Sequence, residues 1–567
     1  MKTESYQAEL QNLKDNAREF ARKYPALAPH LAGASSDPDV ERILQGTAFL
    51  SAGIQERLDT DFPEFAQSIL RLVAPDYLKE IPATTIIEFK PRNILNNVIT
   101  IKQGAKLDSQ KVSGINCRFH SCTDINIYPL TINSCELNQH SGSSELDIII
   151  NNTSLANSAV QLSELPLHIA GDYIDASQIY YLLTKKLESV SIVQGQQITE
   201  LTDAEVEPMG WGQDFNLLEN HKTSLHSYRR LQEYFINKYK FLFVNLKGFN
   251  ENQPLPKAFK IRFKFKQNTH GLQVNKNSFK LFCTPAINLF ETDAEPIPLT
   301  HKQNDLRLNP IRNTNNHLTI HSLLKVSGQN RRSSEKNSYI DFSLAAKEQG
   351  NHPVYELIQK YTGPQEVDSL LRISFPPGYE LPMREVLTAK LRCSNGLLTQ
   401  QLKLGDVNVN TPDVPDLVSF SNVSAISEYI APITDGSILW KLLAHLTVNY
   451  LPIADLDNLK ALLNLYNPTE KSDAKDHAEN KKRINSLKQM RNTSSQRLYR
   501  GYLISGQRIE IDVDSTGFTS TGDLYLFGEL IYSVLKQFAD INSYIELSIN
   551  NLTNGEQLSW QPSLLNR

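Results

Sequence analysis

From Ile86 onward the apolar residues stop recurring at helical spacing and arrive in short β-branched runs. That change of period constrains the fold more than any other feature of the chain. TTIIEF, NVITI, DINIYPLTI and ELDIII are such runs, separated by clusters of Asn, Ser and Gly. Runs of this length bounded by turn formers predict strands, so the middle of the chain is expected to be β-rich. KFLFVNL followed by FKIRFKF predicts a further strand pair, and helices are expected from Ala176 to Leu187 and from Leu225 to Phe235. The polar, turn-rich sequence between about 300 and 350 reads as long exposed connections.

Both ends keep the helical period. Tyr6, Leu10, Leu13, Ala17, Phe20 and Tyr24 recur at alternating spacings of four and three, a heptad seam that Pro25 and Pro29 stop. Asp37-Pro38 is an N-cap and first-turn pair for a helix striped by Val40, Ile43, Leu44, Ala48, Ile54 and Leu58. A third helix runs from Pro63 to Pro75. Leucine-rich helical sequence returns near residue 437, and 467–497 is polar enough to be a linker. RIEIDVD then alternates as a half-buried strand. Leu524, Phe527, Leu530, Ile531, Val534, Leu535 and Phe538 stripe a helix, and SYIELSI closes the pattern. The expected class is multidomain α+β, divided at 1–82 (helical module), 83–205 and 206–430 (β-rich) and 431–567 (α+β with the 467–497 linker). The length, 567 residues, fits about four units at ~150 residues each.

Charge and cysteine content narrow the function classes. Lys and Arg total 58 against 62 Asp and Glu, so the surface as a whole is not built for a polyanion. Five cysteines cannot form a disulfide framework. The opening residues lack a secretory signal's apolar core, and no apolar run reaches the ~18–20 residues that span a bilayer. A reducing cytosol is the expected compartment.

Each candidate site has a plain structural reading beside it. No phosphate loop, H-E-x-x-H, G-x-S-x-G or C-x-x-C occurs, and no catalytic residue, cofactor or metal is expected. Cys117, His120, Cys122, Cys135 and His140 would serve a zinc hydrolase only if they converged tetrahedrally. On a strand, however, Cys117 and His120 point to opposite faces. Asp512, Asp514, Thr516, Gly517 and Asp523 match part of a calcium loop, but a strand precedes them and the two aspartates are expected to face water. Lys260, Arg262, Lys264 and Lys266 share one face of FKIRFKF with the aromatics on the other. Base-stacking strands need both on one face, so a solvated face or a lysine-guarded edge is favoured, with an acidic partner as the alternative. The stretch 471–500 carries nine Lys/Arg against three Asp/Glu and reads as a solvated face. A nucleic-acid-binding tail protein using these basic stretches is the competing class.

Three blocks of sequence resemble the TssF (VasA/ImpG) family of type VI secretion baseplate subunits. The first is YQAELQNLKDNAREFARKYPALAPHLAG with DPDVERILQGTAFLSAGIQERLDTDFPEFAQSILRLVAPDYLKEIPATTIIEF. It includes Asp37, Pro38, Val40, Glu41, Arg42, Asp59, Pro63, Glu64, Pro75 and Pro82. The second is VEPMGWGQDFNLL, SYRRLQEYFINKYKFLFVNLKGF and LFCTPAINLFETDAEPI. The third is YRGYLISGQRIEIDVDSTGF with GDLYLFGELIYSVLKQFADINSYIEL. Asn237, Lys238 and Tyr239 stand where the family usually has a proline, and Trp211 where it has Phe. The resemblance implies a non-enzymatic wedge protein of a contractile, phage-tail-like injection machine, with two copies joining one TssG. The wedge would also engage TssK, TssE and the VgrG hub, meet the sheath, tube and membrane complex indirectly, and nucleate tube and sheath growth. It implies a cytoplasmic protein linked to the inner membrane through the complex, with no nucleic acid bound and no membrane insertion. On that reading the seam Tyr6, Leu10, Leu13, Ala17, Phe20 and Tyr24 is the expected partner interface.

Overall fold

The computed structural model describes residues 75–432, 455–536 and 543–561 with short breaks, and N-terminal to them only positions 7, 10, 11, 13, 14, 42, 43, 45–51, 69 and 70. The chain divides into two compact units, Met1–Leu78 with Ile433–Asn449 and Lys79–Pro432 with Tyr450–Arg567. All the described N-terminal positions before residue 75 are helical, as the heptad and capping signals require.

The larger unit is α+β and multidomain in character, with six sheets among the described residues. A five-stranded sheet runs Val418–Asn422, Thr84–Pro91, Cys283–Ile287, Ile115–Ser121 and Lys106–Val112. A second runs Gln197–Glu200, Leu187–Gln194, Ala258–Phe265, Ser143–Asn152 and Leu130–His140. Both interleave early strands with strands from beyond residue 250, so the chain passes residue 205 within sheets rather than between them. The FKIRFKF strand is central, paired on both sides, which corrects the edge-strand expectation. Its Phe259, Ile261, Phe263 and Phe265 are all buried.

Residues 290–394 build an eight-stranded sheet. Here the sequence misled, because the expected loops include the strands Asp305–Arg307, Thr319–Asn330 and Lys336–Asp341. Ile320, Val326 and Tyr339 reach the core, and the polar residues between them mask the strand signal. Where the chain enters the larger unit, Glu80 is buried. Its carboxylate accepts hydrogen bonds from Ser394 and Tyr429, each at 2.7 Å, and burial raises its pKa. Ile81 and Ile430 exchange backbone hydrogen bonds beside it.

The C-terminal sheet runs Leu487–Tyr499, Tyr502–Val513, Tyr544–Asn551 and Gln557–Trp560. Its two middle strands are parallel, joined through the helix Thr521–Leu535 as a parallel connection requires. That helix packs on two others, Tyr173–Lys185 and His226–Ile236. In chain order these are α1 (Tyr173–Lys185), α2 (His226–Ile236), α3 (Leu456–Leu465), α4 (Ala474–Asn485) and α5 (Thr521–Leu535). The expected linker at 467–497 is corrected here: α4 and the strand from Leu487 occupy most of it, with Ile484, Leu487 and Arg483 buried. Of the leucine-rich sequence after residue 437, positions 437–454 lie outside the described residues, while Leu456, Leu459, Leu462 and Leu463 fall in α3 with the last three buried.

Candidate partner interface

In the smaller unit the expected seam is described only at Leu10 and Leu13, both helical and half-buried. Tyr6, Ala17, Phe20 and Tyr24 lie outside the described residues. The second helical stripe divides in two. Ala48 is buried, whereas Ile43 and Leu50 are each 68% exposed and Phe49 is exposed beside them. Residues seven apart share a helix face, so Ile43 and Leu50 form an uncovered apolar stripe on the side away from Ala48. Sequence reasoning put Ile43 on one apolar stripe with Ala48, and the structure separates the two. The adjacent Phe49-Leu50 pair, too wide for one core-facing stripe, is the signal that could have found this surface.

The charged stretches of the larger unit are largely closed upon themselves. Asp147, fully buried beside FKIRFKF, accepts from Lys260 at 2.9 Å and from Arg262 at 2.8 and 3.0 Å. Its pKa is lowered, with burial opposing and the two cations prevailing. Lys264 and Lys266 face Glu188 at 3.4 and 3.7 Å. In the 471–500 stretch, Arg491 pairs with Asp512 at 2.7 Å and Lys488 lies 4.0 Å from Asp514. Asp512 is buried and also accepts from Asn550, so it does not face water as expected. Asp514 instead caps the turn Ser515–Gly517, accepting from the Thr516 N–H and hydroxyl.

The cysteine and histidine cluster is not brought together. Cys117 and His120 lie on the Ile115–Ser121 strand of one sheet, Cys135 and His140 on the Leu130–His140 strand of another. Burial pushes the Cys117 thiol up to about 11 and those of Cys122 and Cys135 up to about 12. Such thiols hold their protons at neutral pH.

The remaining motif residues build internal joints. Gly210 passes so close to Lys240 and Phe241 that an added Cβ would lie 2.6 Å from the Lys240 carbonyl oxygen. This lets Trp211 pack on Phe241, ring centroids 4.4 Å apart, and donate to the Tyr180 hydroxyl at 3.1 Å. Glu233 accepts the Leu217 and Leu218 N–H groups and pairs with the buried Lys240. Burial lowers the Lys240 pKa, with Glu233 opposing it. Asn237 donates to Thr84 Oγ1 at 3.1 Å and precedes the turn Lys238–Phe241. Further along, Asp523 is fully buried. It accepts from Tyr173 at 3.0 Å, from Arg483 at 3.1 Å and from Thr519, joining α1, α4 and α5. Burial disfavours the Arg483 charge, but Asp523 outweighs it and raises the pKa. Gly522 admits α1, since a Cβ there would sit 2.1 Å from the Ser177 carbonyl oxygen.

Among the described residues, three or more His, Cys, Asp or Glu side chains nowhere gather as a metal site, and no helix is long and apolar enough to cross a membrane. The conspicuous features are rigid multi-sheet joints and uncovered apolar side chains, a combination suited to an assembly subunit. The chain belongs to the family described as "Type VI secretion system, TssF", which matches residues 2–567. It is 24% identical to the type VI secretion system component TssF1 of Pseudomonas aeruginosa over 98% of both chains. A chain from a cryo-electron microscopy structure of the type VI secretion system TssK-TssF-TssG baseplate subcomplex matches with a TM-score of 0.78 at 25% identity, covering 93% of this chain and 99% of that one. A chain from the baseplate complex of the type VI secretion system shares the fold, with a TM-score of 0.65 at 18% identity over 99% of this chain and 98% of that one.

Proposed function

We propose that this chain is a structural wedge subunit of a type VI secretion baseplate that assembles with TssG- and TssK-family partners. The observation that carries the reading is the end-to-end family match together with a fold matched over 93% of the chain in a TssK-TssF-TssG subcomplex. The uncovered stripe of Ile43 and Leu50 supports it, because apolar side chains left in water on a helix are what a subunit supplies to a shared interface. The seam Tyr6, Leu10, Leu13, Ala17, Phe20 and Tyr24 is proposed as a second contribution to that interface. In this reading two copies join one TssG, the wedge also meets TssE and the VgrG hub, and the complete ring nucleates tube and sheath. The subunit is cytoplasmic, reaches the inner membrane through TssK, and performs no chemistry of its own.

Co-expression tests this. The chain should be recovered in a stable complex with the TssG and TssK subunits of its own system, and a strain lacking it should form no sheath. Replacing Leu10 and Leu13 by Asp should block assembly; unchanged co-purification would make the seam internal core. A chain that shows no affinity for those subunits would overturn the reading.

A further inference from the structure

Two of the places where the chain passes between its two units lie side by side. Leu78–Lys79 leads into the larger unit and Pro432–Ile433 leads out of it. Just inside them Ile81 and Ile430 form an isolated antiparallel bridge. The Ile81 N–H donates to the Ile430 carbonyl at 2.9 Å, and the Ile430 N–H to the Ile81 carbonyl at 3.0 Å. Pro82 on one strand and Pro432 on the other have no N–H to extend the pairing. It resumes where the Ser427 N–H donates to the Thr84 carbonyl at 2.8 Å.

Glu80 ties this neck sideways. It is buried, and its two carboxylate oxygens are taken by hydroxyls from different elements. Tyr429, on the outgoing strand, donates to Oε2 at 2.7 Å. Ser394, the last residue of the strand Glu385–Ser394 in the eight-stranded sheet, donates to Oε1 at 2.7 Å. Ser394 is held in turn. It pairs in register with Thr319, their hydroxyl oxygens 2.7 Å apart, and accepts from the Gly396 N–H at 3.3 Å.

A buried carboxylate costs desolvation that an apolar side chain in the same place would avoid, and burial accordingly raises the Glu80 pKa. What the carboxylate adds is direction. Both oxygens must meet their donors together, so the joint has one fitted geometry and comes apart as a unit. The strand Thr84–Pro91 beyond the neck is paired on both sides, whereas the neck itself rests on one bridge and the Glu80 hydrogen bonds. A segment held so sparsely opens at lower cost than the sheet it leads into. We infer that Glu80 is a lock: it fastens both passages to the end of the 290–394 sheet, and when it opens they come free together while the sheets stay folded. The device belongs to this chain alone and does not depend on which partners it meets.

Hydrogen exchange on the full-length chain tests this. Ser394→Ala removes the tie from the sheet side and leaves Glu80 in place. It should speed exchange of the Ile81 and Ile430 amides at least roughly tenfold, the worth of one hydrogen bond to a carboxylate. The Val423 amide, bonded to the Ile86 carbonyl at 2.8 Å, and those of the strand Lys336–Asp341 should exchange as in wild type. Glu80→Ala should speed the same two amides further, since both ties are lost. Ser394→Ala decides by itself where Glu80→Ala does not fold. Unchanged exchange at Ile81 and Ile430 would mean that packing alone holds the neck, and would overturn the lock. So would a rise shared equally by Val423 and Lys336–Asp341, the mark of a core contact whose loss loosens the whole unit.

Discussion

Helix α5 and the helical residues 45–51 start from similar sequence, apolar side chains at helical spacing, and end in opposite surroundings. In α5, Leu524, Phe527, Leu530, Ile531, Val534 and Leu535 are all buried. Two glycines make this possible: Gly522 lets α1 approach and Gly528 admits the Trp560 ring. In the smaller unit Ala48 is buried while Ile43, Phe49 and Leu50 stay in water. Periodicity tells which residues want cover. It does not say whether the same chain supplies it.

The contrast can be attacked from its covered side first. Phe527→Ala should cost ~3–5 kcal/mol through lost transfer energy and the cavity left behind, read as a shift in the denaturant midpoint. Asp523→Ala should cost a similar ~3–5 kcal/mol, because it strands the Arg483 guanidinium without its buried partner. An unshifted midpoint in either variant would mean that α5 is not the packed centre described above.

Burial also sets a pH dependence. His168 is buried and stacks on Phe243 with ring centroids 4.4 Å apart, and burial pushes its pKa down to about 3. The unfolded chain takes up this proton near ~6.5, and the folded chain only near 3. Its contribution is complete above about pH 6.5. It is lost as pH falls toward 3, by up to about 1.4 kcal/mol per pH unit. His168→Gln should flatten that part of the stability profile relative to wild type. Parallel profiles would place the imidazole in contact with water.

The uncovered side should give the smallest effect on stability and a large one on assembly. Ile43→Asp/Leu50→Asp should move the midpoint by less than about 0.5 kcal/mol, as exposed substitutions do, yet abolish co-purification with the partner subunits. A large loss of stability would show that the stripe is core after all.

Legibility in the sequence followed the same division. The helices α1 and α2, the FKIRFKF strand with its buried aromatic face, and the apolar stripe of α5 were readable because each element carries its own period. The strands from 305 to 341 were not, since their polar faces and the turns between them dilute the alternation. The nearest thing to a site fared worse. Nothing local distinguishes Glu80 from a surface carboxylate until Ser394 and Tyr429 are seen to donate to it, and Arg483 reads as solvated until Asp523, forty residues on, is seen against it.

The amino-acid sequence by itself determined the α+β class, the helical character of the described N-terminal positions and the family, because hydrophobic period and motif order are local properties written along the chain. Only the tertiary structure decided which charges are spent on each other, which glycines are points of close approach, and which apolar side chains are left without cover. Those outcomes depend on what residues distant in sequence bring to the same place, and burial is a property of that place.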